Sequence, residues 1–536
     1  MLKGLGVKNL RSFQNYAYSE LKPLTVYLGR NSSGKSSLIR LFPLLRQSVQ
    51  ETTTGPILWY GRFVDYGNFN EAVCKNSGDI ESITLKFDLS ISHTNFFKSQ
   101  IIKQKIFSST TDVSVELNIS EHEQKTFTRS ISFEIDGSKV LISPSSNKDK
   151  TVVCASSQNF TYIVEAQPSS QIDFKFFPTL KWVSEGIKKP TKETVPWLAK
   201  DFNNDYLEYT GHNNQLANLR YHNKKTSEAA ANAIKKFFHP NTNISTIALN
   251  IQNIRSHSRV GTERMLMAFF RSQNHFINKV KNPAVMNELL DILFPFILLK
   301  NYQPIINNIN ESLKKSFLSV KYLAPIRANS ERFYRFQDLQ VDEMDHTGSN
   351  IAMILNAFTE DEKFKFQEWT QNNFGFIAFV TADGSHYAIK IKTDNDTEEH
   401  NINDMGYGFS QVLPIIMSIW LEIHNPSNND DEVIFVIEQP ELHLHPAYQT
   451  KVANLFAKVV NSIHGTNRNI KFIFETHSQS MIDALGNCIQ QKIISKDDVN
   501  IMIFEKNKDI GSTAFTAQFD DEGYFINWPV GFFSGE

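Results

Sequence analysis

Cysteine is scarce in this chain of 536 residues: there are three, Cys74, Cys154 and Cys488, far apart and without a CxxC pair. That spacing excludes a disulfide framework and fits small buried side chains in a reducing compartment. Long apolar runs are missing too. The most apolar stretch, "LLDILFPFILL" from Leu289 to Leu299, contains Asp291 and Pro295 and falls well short of the roughly 20 residues a membrane-spanning helix needs. It reads as a core helix with a break. The opening "MLKGLGVKNLRSF" has no apolar stretch of signal-peptide length, so the expectation is a cytoplasmic protein with no membrane partner. Neither charge sign is in surplus: 55 Lys and Arg stand against 57 Asp and Glu, a net charge of -2. Nothing global therefore draws the chain to nucleic acid, and any basic groove must be local. No internal repeat is visible. What remains, 41% hydrophobic and 12% aromatic residues, describes a folded chain with two or three domains' worth of core.

The pattern along the chain predicts an α/β protein. Strands "LKGLGV" and "LTVYL" lead into a glycine-rich turn and one apolar helix, "SSLIRLFPLLRQSV". Between about residues 80 and 180 apolar residues alternate, as in Ile83, Leu85, Phe87, Leu89 and in Ile131, Phe133, Ile135, the latter followed by Asp136-Gly137 and a return strand; this is antiparallel sheet with a hairpin turn. "SPSSNKDK", Ser143 to Lys150, reads as a solvated loop. Helical spacing then runs to about 318, without the sustained heptads of a long coiled coil. Strand signals resume at "SVKYLAPI", "FGFIAFV" and "HYAIKIK", and the last 130 residues alternate strand and helix as a parallel sheet does. The domain reading is residues 1–190 with the glycine-rich loop and antiparallel sheet, 191–318 a helical insertion, and 319–536 the remaining motifs.

"GRNSSGKS", Gly29 to Ser36, matches the phosphate-loop pattern G-x-x-x-x-G-K-[ST] between a strand and a helix. Backbone N–H groups of Gly29, Asn31, Ser32, Ser33, Gly34, Lys35, Ser36 and Ser37 are the candidates to wrap the phosphates of ATP, with Lys35 reaching the β and γ oxygens and Ser36 taking a Mg²⁺ position. Three further segments lie very late: "DMGYGFSQ", Asp404 to Gln411; "VIFVIEQPE", Val433 to Glu441; and "FIFETHS" with His477. His443 and His445 in "HLHP" look like a metal pair, yet no Cys or further His stands nearby to complete a zinc site.

In order and spacing these segments resemble the signature segment, metal-binding strand and switch histidine of ABC-type ATPase heads of the SMC, RecF and OLD kind. The implied fold is such a head, a mixed sheet lobe plus a parallel P-loop sheet with helices, carrying an inserted helical region. The resemblance assigns Gly408, Ser410 and Gln411 to the γ-phosphate of a neighbouring subunit's ATP, Glu438 to Mg²⁺ beside Ser36, and His477 to the γ-phosphate. Arg11 is matched to a head residue near the nucleotide. A head-to-tail homodimer with ATP sandwiched between the heads follows. "KYLAPIRANSERFYR", "MGYGFSQVLPI" with "EQPELHLHP", and "DDEGYFINWPVGFFSGE" further resemble the branch that includes PtuA, the ATPase of Septu and of some retron antiphage systems. The resemblance covers about residues 1–75 and 318–536. It implies an HNH-type nuclease partner, PtuB, and in retrons a reverse transcriptase with its RNA–DNA product. The other readings are a RecF- or SMC-like DNA repair or DNA-end-binding ATPase, a self-contained OLD-type nuclease, and a transporter subunit. Only 59 residues follow His477, with no clustered DxD, which disfavours the nuclease, and about 370 residues between phosphate loop and signature segment disfavour the transporter.

Where related heads place a second carboxylate, this chain has Gln439. An amide orients water but accepts no proton, and losing a general base costs about 10²- to 10⁴-fold. Positioning by glutamine suffices in some phosphoryl transfers, so slow hydrolysis is expected. Glu441 is the possible rescue base or a structural loop residue. Arg327 and Arg332 are candidates for nucleotide or partner contacts, or for ion pairs, and Gln47, Gln50 or the "VDYGNF" turn are options for a Mg²⁺-sensing glutamine loop.

Overall fold

The apolar strand that precedes the phosphate loop, Leu24–Gly29, is buried along its whole length. In the computed structural model it lies inside a seven-stranded sheet, with Asn469–Glu475 on one side and Val499–Asn507 on the other, both parallel to it. Outward from Asn469–Glu475 come Glu432–Glu438 and Val320–Leu323, also parallel. Beyond Val499–Asn507 the sheet turns antiparallel through Gly511–Phe519 and Phe525–Ile526. The structure describes residues 1–75, 82–92, 110–144, 151–158, 160–168, 180–182, 226–325, 331–335, 343–383, 386–394, 396–424, 432–466, 468–507 and 511–527. It divides into two units, one of Met1–Leu5, Thr52–Ile57 and Ile80–Lys314, the other of Gly6–Glu51, Leu58–Asp79 and Lys315–Glu536.

The second unit carries the parallel sheet. Strands buried on both faces need unbroken apolar runs, which "VIFVI" and "IKFIF" supply; Phe435 and Phe456 stack on either side of Phe472 at 5.0 and 4.5 Å. Helices Tyr407–His424, Pro446–Ile463 and Gln479–Gln490 bury their apolar residues in the same core. The single helix expected after the phosphate loop is two, Lys35–Ile39 and Leu41–Gln50, meeting at Arg40. Pro43 explains the break, because it has no N–H to offer the Ile39 carbonyl.

In the first unit, strands Ser82–Ser92, Thr110–His122, Lys125–Ile135, Ser138–Pro144, Thr151–Ser156, Thr161–Pro168 and Leu180–Trp182 form an antiparallel meander. The Asp136-Gly137 turn has both residues at positive φ, 47° and 75°, as a primed hairpin turn requires. Another tight turn at Glu123-Gln124 uses two non-glycine residues at φ 51° and 61°, so no composition signal marks it. The loop read at Ser143 to Lys150 begins within a strand, and residues 145–150 lie outside the described residues.

Helix Pro283–Lys300 packs on the strands Ser138–Pro144, Thr151–Ser156 and Thr161–Pro168. The break expected at Pro295 does not occur. Proline there leaves the Asp291 carbonyl without its helical donor, and the Ser157 hydroxyl donates to that carbonyl at 2.6 Å, with the Tyr162 hydroxyl on the Ile292 carbonyl at 3.1 Å. The sheet supplies what the proline removes. Among the described residues no single helix is long and apolar enough to cross a membrane.

Candidate nucleotide site

The loop after Leu24–Gly29 turns through left-handed backbone at Ser32 (φ 62°) and Gly34 (φ 106°). Gly34 has no room for a side chain: an added Cβ would lie 2.7 Å from Phe13 Cζ and 3.0 Å from the Ser12 and Ser512 hydroxyls. At Gly29 it would lie 2.5 Å from the Phe504 carbonyl oxygen. Asn31 and Ser32 are exposed, Ser33 is buried, and Ser36 and Ser37 are half-buried in the first turn of the following helix. Lys35 is buried, and its Nζ donates to the Gly29 and Arg30 carbonyls at 2.9 and 3.0 Å. Burial pulls its pKa down, while Glu475 and Glu441 pull the other way. The ammonium is thus held inside the loop, at the place where phosphate oxygens bind in such loops.

Two carboxylates end neighbouring parallel strands. Glu438 and Glu475 are register partners, and Glu475 is in turn paired with Tyr27, two residues before the loop. Glu475 accepts the Ser36 hydroxyl at 2.9 Å on one oxygen and 3.2 Å on the other. Burial, and then Glu438 beside it, push its pKa up to about 7. Glu438, 1% exposed, is gripped by the Arg40 guanidinium through Nε at 2.8 Å and Nη2 at 2.8 Å, and accepts the Tyr322 hydroxyl at 2.6 Å. The bond to Glu438 raises the Arg40 pKa, and burial, then Glu438, raise that of Tyr322.

After Glu438 the chain leaves the sheet. Gln439 takes a left-handed φ of 45°, and its N–H donates to the Glu475 carbonyl at 3.1 Å. The Glu441 carboxylate accepts the backbone N–H of His477 at 2.8 Å, tying the two strand-end loops together. Burial and the Lys35 charge push the His477 pKa down, which favours the neutral imidazole.

The signature segment is held elsewhere on this unit. Gly406 is left-handed (φ 80°), the helix starts at Tyr407, and Ser410 Oγ donates back to the Tyr407 carbonyl at 2.7 Å. Gly408 faces the His443 carbonyl, with 3.5 Å left for a Cβ, and Gln411 is buried. His443 packs its ring 5.7 Å from that of Tyr407, while His445 Nδ1 accepts the Ala447 N–H at 3.3 Å and caps the Pro446–Ile463 helix. Arg11 (φ 52°) sits 5.1 Å over the Tyr66 ring, and the Tyr66 hydroxyl donates to the Ser37 carbonyl at 2.8 Å. Gln47 spends its amide on the Leu58 and Val64 carbonyls and the Phe63 and Val64 N–H groups, whereas Gln50 is exposed. Arg332 pairs with Asp404 at 3.4 Å, both well exposed, a geometry worth little. Arg327 lies outside the described residues.

The AAA ATPase domain family profile matches residues 1–482. The chain belongs to the AAA ATPase domain family. No curated protein sequence matches it. Among solved structures it is similar to the SMC head domain from Thermotoga maritima, at 9% identity over 96% of this chain and 98% of that one, with a TM-score of 0.35. For this AAA ATPase domain protein ATP and Mg²⁺ are the implied ligands, and the donor set fits them. Mg²⁺ is bound by one or two carboxylates, a hydroxyl and phosphate oxygens, and Ser36 with two buried acids supplies oxygens only. When bound, the ion neutralises charge on the phosphates. Sequence reading missed Glu475, Arg40 and Tyr322. Glu475 stands two residues before His477 at the end of an apolar strand, which is the signal that could have found it.

Proposed function

We propose that ATP and Mg²⁺ bind at this phosphate loop, that hydrolysis is slow, and that the nucleotide state of a head-to-tail homodimer regulates a partner nuclease in antiphage defence, PtuA-like, in the cytoplasm. The observation that carries the nucleotide reading is the meeting of Lys35 and Ser36 with two buried acids at the ends of adjacent parallel strands. Ligands of open α/β sheets sit at such carboxyl ends. Slow turnover rests on Gln439, which stands where a base is wanted and accepts no proton, and on Glu441, whose carboxylate is engaged by the His477 backbone. A long-lived ATP state suits a state marker better than a motor. The defence role and the nuclease partner are supported by the motif resemblance. The dimer is supported by the signature segment, whose Gly408 and Ser410 make their contacts at the His443 loop and within their own helix.

The test is ATP turnover and oligomer mass in ATP for the wild type, Lys35→Ala and Gln439→Glu. A wild type that binds ATP, dimerises and turns over slowly, with Gln439→Glu faster and Lys35→Ala inactive, supports the reading. Fast wild-type turnover with no gain in Gln439→Glu refutes the state marker, and strong stimulation by DNA ends moves the protein to the repair class.

A further inference from the structure

The chain as a whole is close to neutral, but its cations are not spread evenly. From Lys235 to Lys281 there are eight Lys and Arg residues and a single acid, Glu263. We propose that the exposed cations at one end of these helices bind the phosphate backbone of a nucleic acid. This surface belongs to the first unit and the phosphate loop to the second, so the proposal does not rest on the ATP reading.

Three buried rings build the floor. Phe238 stacks on Phe276 at 4.5 Å and meets Phe270 edge-on at 4.8 Å, and Phe270 lies 5.2 Å from Phe276. They join the short turn Lys235–Phe237, the end of helix Arg259–Phe269 and helix Asn274–Val280. The neighbours of these rings in the chain, His239, Arg271 and His275, are exposed, and the two imidazoles pack edge to face at 5.6 Å. Lys236 and Lys279, also exposed, hold their ammonium groups 5.2 and 5.9 Å from the Phe237 ring. The cations are thus brought together on one small scaffold by packing beneath them.

Their charge is largely uncompensated. Lys279 and Lys281 donate to neutral partners, the Lys236 carbonyl at 2.7 Å and Asn278 Oδ1 at 3.3 Å, and Arg271, Lys279 and Lys281 have no ion pair among the described residues. Lys236 meets Glu288 at 2.6 Å, but both side chains are more than half exposed, a pairing worth little that a phosphate can displace. Lys235 and Arg259 stay outside the surface, the first spent on the His239, Pro240 and Thr242 carbonyls and the second on Asp291. Exposed amides of Asn241, Asn274 and Asn278 stand in the same segments. Phosphate oxygens accept hydrogen bonds and donate none, so a surface of ammonium, guanidinium and amide donors suits them, and exposed imidazole faces suit bases.

The experiment is fluorescence anisotropy of a labelled single strand of about 20 nucleotides, and of the matching duplex, with the full chain at about 50 to 200 mM salt. Wild type should bind at least one probe, with an affinity that falls as salt rises. The triple variant Arg271→Gln, Lys279→Gln, Lys281→Gln should bind roughly tenfold more weakly or worse at the lowest salt, and its slope of log affinity on log salt should be shallower by about 2–3. A charge-matched control in the second unit, Lys363→Gln, Lys365→Gln, Lys392→Gln, should keep the wild-type slope. Should the triple variant misfold by circular dichroism, Arg271→Gln alone should make the slope shallower by about 1. No binding of either probe by wild type, a wild-type slope in the triple variant, or an equal loss in the control overturns the proposal. So does displacement of the probe by polyglutamate as readily as by unlabelled oligonucleotide, which would make the surface a dock for an acidic protein.

Discussion

Removing the Arg40 guanidinium tests how the acid cluster is held together. In Arg40→Ala the Glu438 carboxylate, 1% exposed, keeps the Tyr322 hydroxyl and loses both prongs of its cation. Breaking a buried pair from one side costs about 3–5 kcal/mol. The Arg40 side chain is itself 41% exposed, so water enters the vacated space, and the lower figure of about 2–3 kcal/mol is expected. At about 2 °C per kcal/mol for a cooperative unit of more than 200 residues, the unfolding midpoint should drop by about 4–6 °C. Thermal unfolding followed by tryptophan fluorescence reads this directly, because Trp59, Trp369 and Trp420 belong to the same unit. Arg40→Lys should recover little, since an ammonium cannot form the two-pronged bond. Adding Glu438→Gln to Arg40→Ala should restore part of the loss, because a neutral amide needs no cation. A midpoint within about 1 °C of wild type, or strictly additive effects in the double variant, refutes the account of a buried acid held by Arg40.

Two further outcomes follow from the same structure. Ser157→Ala should cost about 1–3 kcal/mol by leaving the Asp291 carbonyl without a donor, but much less in a Pro295→Ala background, where residue 295 regains its N–H; equal cost in both backgrounds, measured by chemical denaturation, refutes the compensation. Asp345 has its pKa held far below the usual aspartate value by the neighbouring His346 ring, whose Nδ1 lies 3.5 Å away, and then by hydrogen bonds from Thr347 and Arg62. Its folded state therefore binds the proton less well than the unfolded chain, so its contribution is complete above about pH 4 and declines as pH falls below it. Asp345→Asn should lower the midpoint at neutral pH and flatten the fall in acid, and parallel curves for variant and wild type refute the assignment.

Local chemistry made much of this legible. "GRNSSGKS" needs glycine at positions 29 and 34 because backbone, ring and hydroxyl atoms crowd them, and a short pattern is enough to say so. Period-two alternation marked the meander, and Asp136-Gly137 marked its turn. Where local rules failed, a distant partner had intervened. Pro295 reads as a break because a single helix cannot donate to the Asp291 carbonyl, and Ser157, 134 residues away in the chain, does so. Glu123-Gln124 forms a tight turn because its flanking strands pair, although neither residue favours positive φ. Gln47, an option for sensing the metal, is engaged by the loop it packs against.

The sequence by itself determined which residues can touch a phosphate: a loop of small residues, a lysine and a serine, fixed within eight positions by covalent spacing. Which acid meets that serine was decided by strand order. Leu24–Gly29, Glu432–Glu438 and Asn469–Glu475 come from opposite ends of the chain, and their parallel pairing sets Glu475 against Ser36 across 439 residues of sequence. The fold likewise brings the Arg40 guanidinium onto Glu438, 398 residues away in the sequence. Spacing along a chain constrains near neighbours only, whereas hydrogen-bonded register between strands fixes distances between residues of any separation.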